Sequence, residues 1–321
     1  MIGKVSPETL TTEILSRTGA DDPRVLVGPA YGEDTAAIDL GEQILVVSTD
    51  PLSLAADQVG RLGIHVACND VAASGADPAW VTNCLFLPDE DPATIEDVTR
   101  QLDTTAREIG VAIIGGHAEY APQLDRPLLA LTAFGLTDRY VSSGGASAGE
   151  KIVLTAGAGI EGTAILATDF AEHLEDDVDA AVLERARGFM DEISVRHAAR
   201  AIRDDATSMH DPTEGGVLAA LVEMAVAADV SFELESAAVP VRDETSTLCA
   251  AMEVDPLQIF GSGALLATVP PEDAESACRA VRETGTSADV IGEVTPGSGA
   301  VLLDGEHIEA APRDDLYALW E

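Results

Sequence analysis

Lysine is almost missing from this 321-residue chain: Lys4 and Lys151 are the only two, and arginine supplies the rest of its 18 basic residues. Against them stand 57 Asp and Glu, for a formal net charge of −39 and a sequence pI near 4.1. A surface so poor in positive charge repels polyanions, which argues against nucleic acid and anionic membrane faces as partners. Cysteine is scarce too. Cys68, Cys84, Cys249 and Cys278 form no CxxC pair and no secretory signal segment precedes them, so neither a zinc site nor a disulfide framework is expected. Every apolar run is interrupted well before the roughly 18 residues that a membrane helix needs. These absences predict a soluble, cytoplasmic protein with free thiols.

What is present is apolar enough for a core. Hydrophobic residues make up 46% and the mean hydropathy is +0.13, so the acid excess does not signal disorder. The acids are spread along the whole chain. That is the pattern of salt-in halophiles, whose surface carboxylates stay hydrated while concentrated salt screens their repulsion. The length suggests two domains. In the first half, 44–48 reads as a strand, and Pro51 should break it. A helix is expected over 58–74 with Gly75 as its cap, a strand over 80–87, and a helix from Pro92 to Ile109 closed by Gly110. Short strands follow at 111–114 and 128–136, which makes the half α+β. The Ser- and Gly-rich stretch within 140–150 reads as a boundary, giving domains 1–140 and 147–321. Beyond it, the pattern predicts strands at Lys151–Thr155, 232–234, 264–269, 289–294 and Ala300–Leu303, and a helix over 214–228.

Gly157, Gly159 and Gly162 form a GxGxxG between a strand and a helix, the outline of a dinucleotide site. A second strand ending in an acid should follow about 20 residues on. Residues 175–181 read instead as a turn into another helix, so the glycines are expected to make a tight strand-to-helix turn. A more informative pattern is acids at the ends or in the middle of apolar elements. Glu33 and Asp34 follow Gly32, Asp50 ends the 44–48 strand, and Asn69 and Asp70 interrupt an apolar helix. Each has an ordinary alternative, Asp50 as a turn residue and Asp70 as a solvated helix position. If they converge they need a cation, and Mg²⁺ suits oxygen ligands and phosphates. Gly115 and Gly116, after the 111–114 strand, would let backbone N–H groups approach a phosphate. His117 and Glu119 would add a donor and a carboxylate, although a His beside a Gly pair is also an ordinary turn residue.

Several stretches then fall into a recognisable order: GEDTAAI (32–38), STD (48–50), NDVAASGADP (69–78), GGHAEYAP (115–122), KIVLTAGAGIEGTAILATD (151–169), MHDPTEGGVLAALVEMA (209–225) and DPLQIFGSGALLATV (255–269). With them the chain resembles the aminoimidazole ribonucleotide synthetase superfamily (PurM-like), and within it the hydrogenase-maturation HypE branch. The resemblance implies two α+β domains, the N-terminal one dimerising through its strands into a shared barrel. ATP and Mg²⁺ would lie in a cleft near that homodimer interface, with an unidentified small substrate. By position, the resemblance implies Asp34, Asp50, Asp70 and Glu119 as metal ligands. It implies Lys4, Asn69, Gly115, Gly116, His117, Gly215 and Gly216 as nucleotide contacts, and His210, Asp211 and Thr213 as catalytic groups. Many relatives carry Asp or Glu where this chain has His117. The 211–216 turn should start a helix whose N–H groups face the ligand, and Asp211 fits equally well as a plain N-cap followed by Pro212.

The activity implied is ATP-driven activation of a carbonyl or amide oxygen. The alternatives are a small-molecule kinase of the thiamine-monophosphate type and a non-catalytic nucleotide-binding accessory working with a maturation partner protein. The HypE acceptor is a C-terminal cysteine. This chain has no cysteine after Cys278, so that branch's own dehydration is not expected in cis.

Overall fold

A computed structural model describes residues 3–52 and 58–321. The chain divides into two compact units. The smaller comprises Ala20–Gly28 and Asp34–Tyr140, and the larger takes the N-terminal segment through Gly19, Pro29–Glu33 and Val141–Glu321. Among the described residues, no helix is long and apolar enough to cross a membrane.

The smaller unit is built on β1 (Val25–Val27), β2 (Thr35–Asp39), β3 (Ile44–Leu52), β4 (Asp77–Leu87), β5 (Ala112–Tyr120) and β6 (Leu128–Thr137), in sheet order β1-β2-β3-β6-β4-β5. Its two long helices are well signposted. Asp91 caps the Pro92–Ile109 helix by accepting from the Ala93 and Thr94 amides, and Gly110 ends it at φ 74°, a left-handed turn that glycine adopts without strain. The Val59–Ala73 helix buries nearly all its length, Asn69 and Asp70 included.

Three expectations are corrected here. The sheet does not close into a barrel: it is open, with β1 at one end and β5 at the other. All nine residues of β5 are exposed, so it is an edge strand. Pro51 does not end β3 either. Thr35 of β2 pairs with Ser48, while β3 runs on against β6 as far as Leu52 opposite Leu129. Among the described residues the pairing of β3 with β2 ends at Ser48, and a proline beyond it costs no ladder bond to β2. Finally, Gly115, Gly116, His117 and Glu119 do not follow a strand but lie within β5, because pairing with β4 continues from Ala112 to Tyr120. The register slips by one residue between Ile113 and Gly115, a bulge that accommodates the extra Ile114.

The larger unit carries β7 (Lys151–Thr155), β8 (Ser208–His210), β9 (Ser231–Leu234), β10 (Leu266–Val269), β11 (Ala288–Thr295), β12 (Ala300–Leu303) and β13 (Glu306–Ile308), in the open order β13-β12-β9-β11-β7-β10-β8. The Gly216–Ala228 helix packs Val217, Leu221 and Met224 into a core with Ile152, Leu154, Phe232 and Leu266. β7 pairs antiparallel with both β10 and β11, which is incompatible with a parallel dinucleotide-binding unit. The GxGxxG glycines instead admit a neighbour: a Cβ on Gly159 or Gly162 would lie 2.9 or 2.8 Å from Ile259 Cδ1.

Candidate functional site

In the smaller unit two of the acids, Asp50 and Asp70, come together at β3. Asp34 is exposed and immediately precedes Thr35, the residue paired with Ser48. Asp50 therefore lies on the stretch of β3 beyond its pairing with β2. Asp70 comes to the same place from the Val59–Ala73 helix and is only 4% exposed, which removes its reading as a solvated helix position. Ser48 joins the two. Its Oγ lies 2.5 Å from Asp70 Oδ2 and 3.1 Å from Asp50 Oδ2. A hydroxyl carries one proton and donates to one carboxylate at a time, so the second contact sets acceptor against acceptor unless a proton or a cation intervenes. Paired hard oxygen donors with that requirement fit Mg²⁺. Asn69, next to Asp70 in sequence, is fully buried.

Glu119 belongs to a different place. The sheet order puts β6 and β4 between β3 and β5, a lateral separation of roughly 14 Å at strand spacing. There, His117 Nε2 lies 3.0 Å from Glu119 Oε2, both side chains exposed. Beside them is a cleft of about 610 Å³ whose lining includes Asn83, Thr99, Ile113, Gly115 and His117. The two glycines have different reasons. A Cβ on Gly116 would fall 2.1 Å from the Asn83 carbonyl oxygen, whereas one on Gly115 would meet nothing within 4 Å. Gly116 is demanded by its neighbour strand, whereas Gly115 faces open space on the side where a Cβ would stand.

In the larger unit the N-terminal segment reaches the 211–216 turn. Lys4 Nζ lies 3.5 Å from Thr213 Oγ1 and 3.8 Å from Glu223 Oε1, and His210 Nε2 lies 3.1 Å from Glu223 Oε2. His210 and Asp211 are buried. Asp211 is not the N-cap of the following helix, which starts at Gly216 with Gly215 as its cap at φ 78°. The Gly215 amide donates to Asp314 Oδ2 at 2.8 Å, and the Gly216 amide to the Thr213 carbonyl. Asp314 also accepts from the Leu316 amide. Burial pushes its carboxyl up to about 7, and burial does the same to Glu161, also to about 7, with the charge of Glu214 adding to both.

Three residues to which the sequence assigned no role take part: Ser48, Glu223 and Glu33. Glu33 accepts from the Ser143 and Gly144 amides and contacts the Ser142 hydroxyl. All three lie in recognised stretches: Glu33 beside Asp34 in 32–38, Ser48 at the head of 48–50, and Glu223 near the end of 209–225.

Residues 32–137 match the model of the AIR synthase related protein N-terminal domain, and residues 147–304 that of its C-terminal domain. A selenide, water dikinase of Citrifermentans bemidjiense is 30% identical over 334 aligned positions, covering 94% of each chain. A carbamoyl dehydratase HypE of Cupriavidus necator is 30% identical over 293 positions, covering 86% of this chain and 78% of its own. Among solved structures, hydrogenase maturation protein HypE in complex with ATP superposes with a TM-score of 0.72 at 26% identity, covering 97% of both chains.

Proposed function

The chain belongs to the AIR synthase related family, and from that premise we propose an ATP- and Mg²⁺-dependent enzyme of the HypE-like branch that activates a carbonyl or amide oxygen of a small substrate. The observation that carries the reading is the Ser48 hydroxyl held between Asp50 and Asp70. Those two carboxylates, with Asp34, would hold the metal, and Asn69 would contact the nucleotide; when bound, the metal would neutralise phosphate charge and orient the nucleotide. Gly115 would leave backbone open to a phosphate, and Lys4 would supply a positive charge. His210, Asp211 and Thr213 would orient the acceptor and handle its protons, by positioning more than by covalent chemistry. His117, Glu119, Gly215 and Gly216 are assigned supporting contacts.

In this reading residues 1–140 form the nucleotide domain and 147–321 the second domain, and the protein works in the cytoplasm of a salt-adapted cell. A homodimer is supported by the uncovered β5 edge, where Ile114 and Tyr120 are 58% and 57% exposed. A maturation protein is the candidate partner.

The test is titration calorimetry with ATP in concentrated KCl, with and without Mg²⁺, followed by product analysis with amide and carboxylate acceptors. Tight binding that needs Mg²⁺, with ADP or AMP released only when an acceptor is present, is the expected result. No binding in either condition would sink the reading. A phosphorylated acceptor would move the protein to the kinase type, and binding without turnover to the accessory role.

A further inference from the structure

Three segments come together at one residue, Glu223, in the larger unit. Glu223 sits on the Gly216–Ala228 helix with its side chain only 13% exposed. Its Oε2 faces His210 Nε2 at 3.1 Å and its Oε1 faces Lys4 Nζ at 3.8 Å. The third segment reaches it through the backbone. Gly32, at φ +82°, approaches so closely that a Cβ there would fall 2.8 Å from the Glu223 carbonyl oxygen. Tyr31, next in the chain and partly buried, reports the same neighbourhood. Its hydroxyl is pushed above the usual range by burial first and then by the Glu223 charge, with Lys4 pulling it back.

A carboxylate this enclosed costs free energy unless its charge is compensated. Here each oxygen faces a different nitrogen. Ionised, it only accepts, so the His210 Nε2 facing it carries a proton and the ring is fixed in orientation. We propose that Glu223 is a positioning residue: it ties Lys4 over Thr213 and fixes the His210 ring beside Asp211, so that the N-terminal segment and the 211–216 turn act as one assembled unit. This rests on the reading of Lys4 and His210 as active-site groups.

Glu223→Gln, Lys4→Gln and the double variant, made in the full chain, test it in two ways. The first needs no nucleotide: tryptic cleavage after Arg17 reports release of the N-terminal segment. Both single variants should be cleaved about two- to fivefold faster than wild type, the range that a partly exposed ion pair supports. An unchanged rate in both overturns the proposal. The second is the KM for Mg²⁺-ATP, expected to rise by a similar two- to fivefold in each single variant and no further in the double. Additive effects overturn the proposal, because a merely structural Glu223 would act independently of Lys4. If Glu223→Gln melts early, Lys4→Gln breaks the same pair from its exposed side and decides the cleavage test. If wild type binds no ATP, the proposed function fails and the cleavage arm alone judges Glu223.

Discussion

The two units place their enclosed acids in different company. In the smaller, Asp50 and Asp70 converge on one hydroxyl, which can donate to only one of them at a time. In the larger, Glu223 faces a lysine and a histidine, while Asp314 accepts from two backbone amides and is still pushed up to about 7 by burial. Acid alone therefore has no fixed meaning in this protein. Its chemistry is set by what stands opposite each carboxylate.

The sharpest way to break that contrast is to neutralise the smaller unit's pair. Asp50→Asn or Asp70→Asn should weaken Mg²⁺-ATP binding by about 100-fold or more, measured by calorimetry. Unchanged affinity would leave the pair with no more claim on a metal than the acids of the larger unit.

Next come the two glycines of β5. Gly116→Ala should destabilise the fold by about 1–3 kcal/mol through overpacking against Asn83. Gly115→Ala should stay within about 0.5 kcal/mol and should instead weaken nucleotide binding. Thermal melts beside binding isotherms would separate the two, and equal destabilisation would erase the distinction.

A smaller effect concerns pH. Glu161 and Asp314 titrate near 7 in the folded larger unit because burial disfavours their charged forms. Their pKa values are raised on folding, so their contribution is full below the unfolded values, about 4. It is lost as pH climbs toward 7. The melting temperature of Glu161→Gln should consequently fall less than that of wild type between those limits. A parallel fall would remove Glu161 from the account.

The least effect is expected at the other lysine. Lys151 pairs with Glu293 across β7 and β11 at 2.8 Å, partly exposed, so Lys151→Met should change stability by less than about 0.5 kcal/mol and leave nucleotide affinity unaltered. A change in affinity would show that lysine scarcity, rather than the company of Glu223, is what makes a lysine matter here.

Legibility in the sequence followed local chemistry. The Pro92–Ile109 helix and β7 stand where the sequence put them, because a cap, a proline and a terminal glycine, or a short apolar run, decide such elements within a few residues. β2, β8 and β13 were not legible, because none carries the clear run of branched apolar residues between turn signals that marks β7, and β1 offers only the three residues Val25–Val27. β3 was cut short at Pro51 because the effect of a proline depends on whether its N–H side faces a partner, and that is a property of the sheet. Ser48 was partly visible in the STD stretch. Glu223 stood in plain view as the lone acid of an apolar helix within the 209–225 stretch, but its partners were not legible, since nothing local says which segments will approach it.

The sequence by itself determined the family, the α+β composition, the acid-rich surface and the identities of the acids worth watching, because motif order and composition survive without coordinates. Only the tertiary structure decided that both sheets stay open, that Gly116 serves packing while Gly115 faces open space, and that Asp50 meets Asp70 through Ser48. It alone decided that Lys4 and His210 share one carboxylate. These outcomes turn on which backbone edges are left unpaired and which side chains converge from remote segments, and no local stretch of residues encodes either.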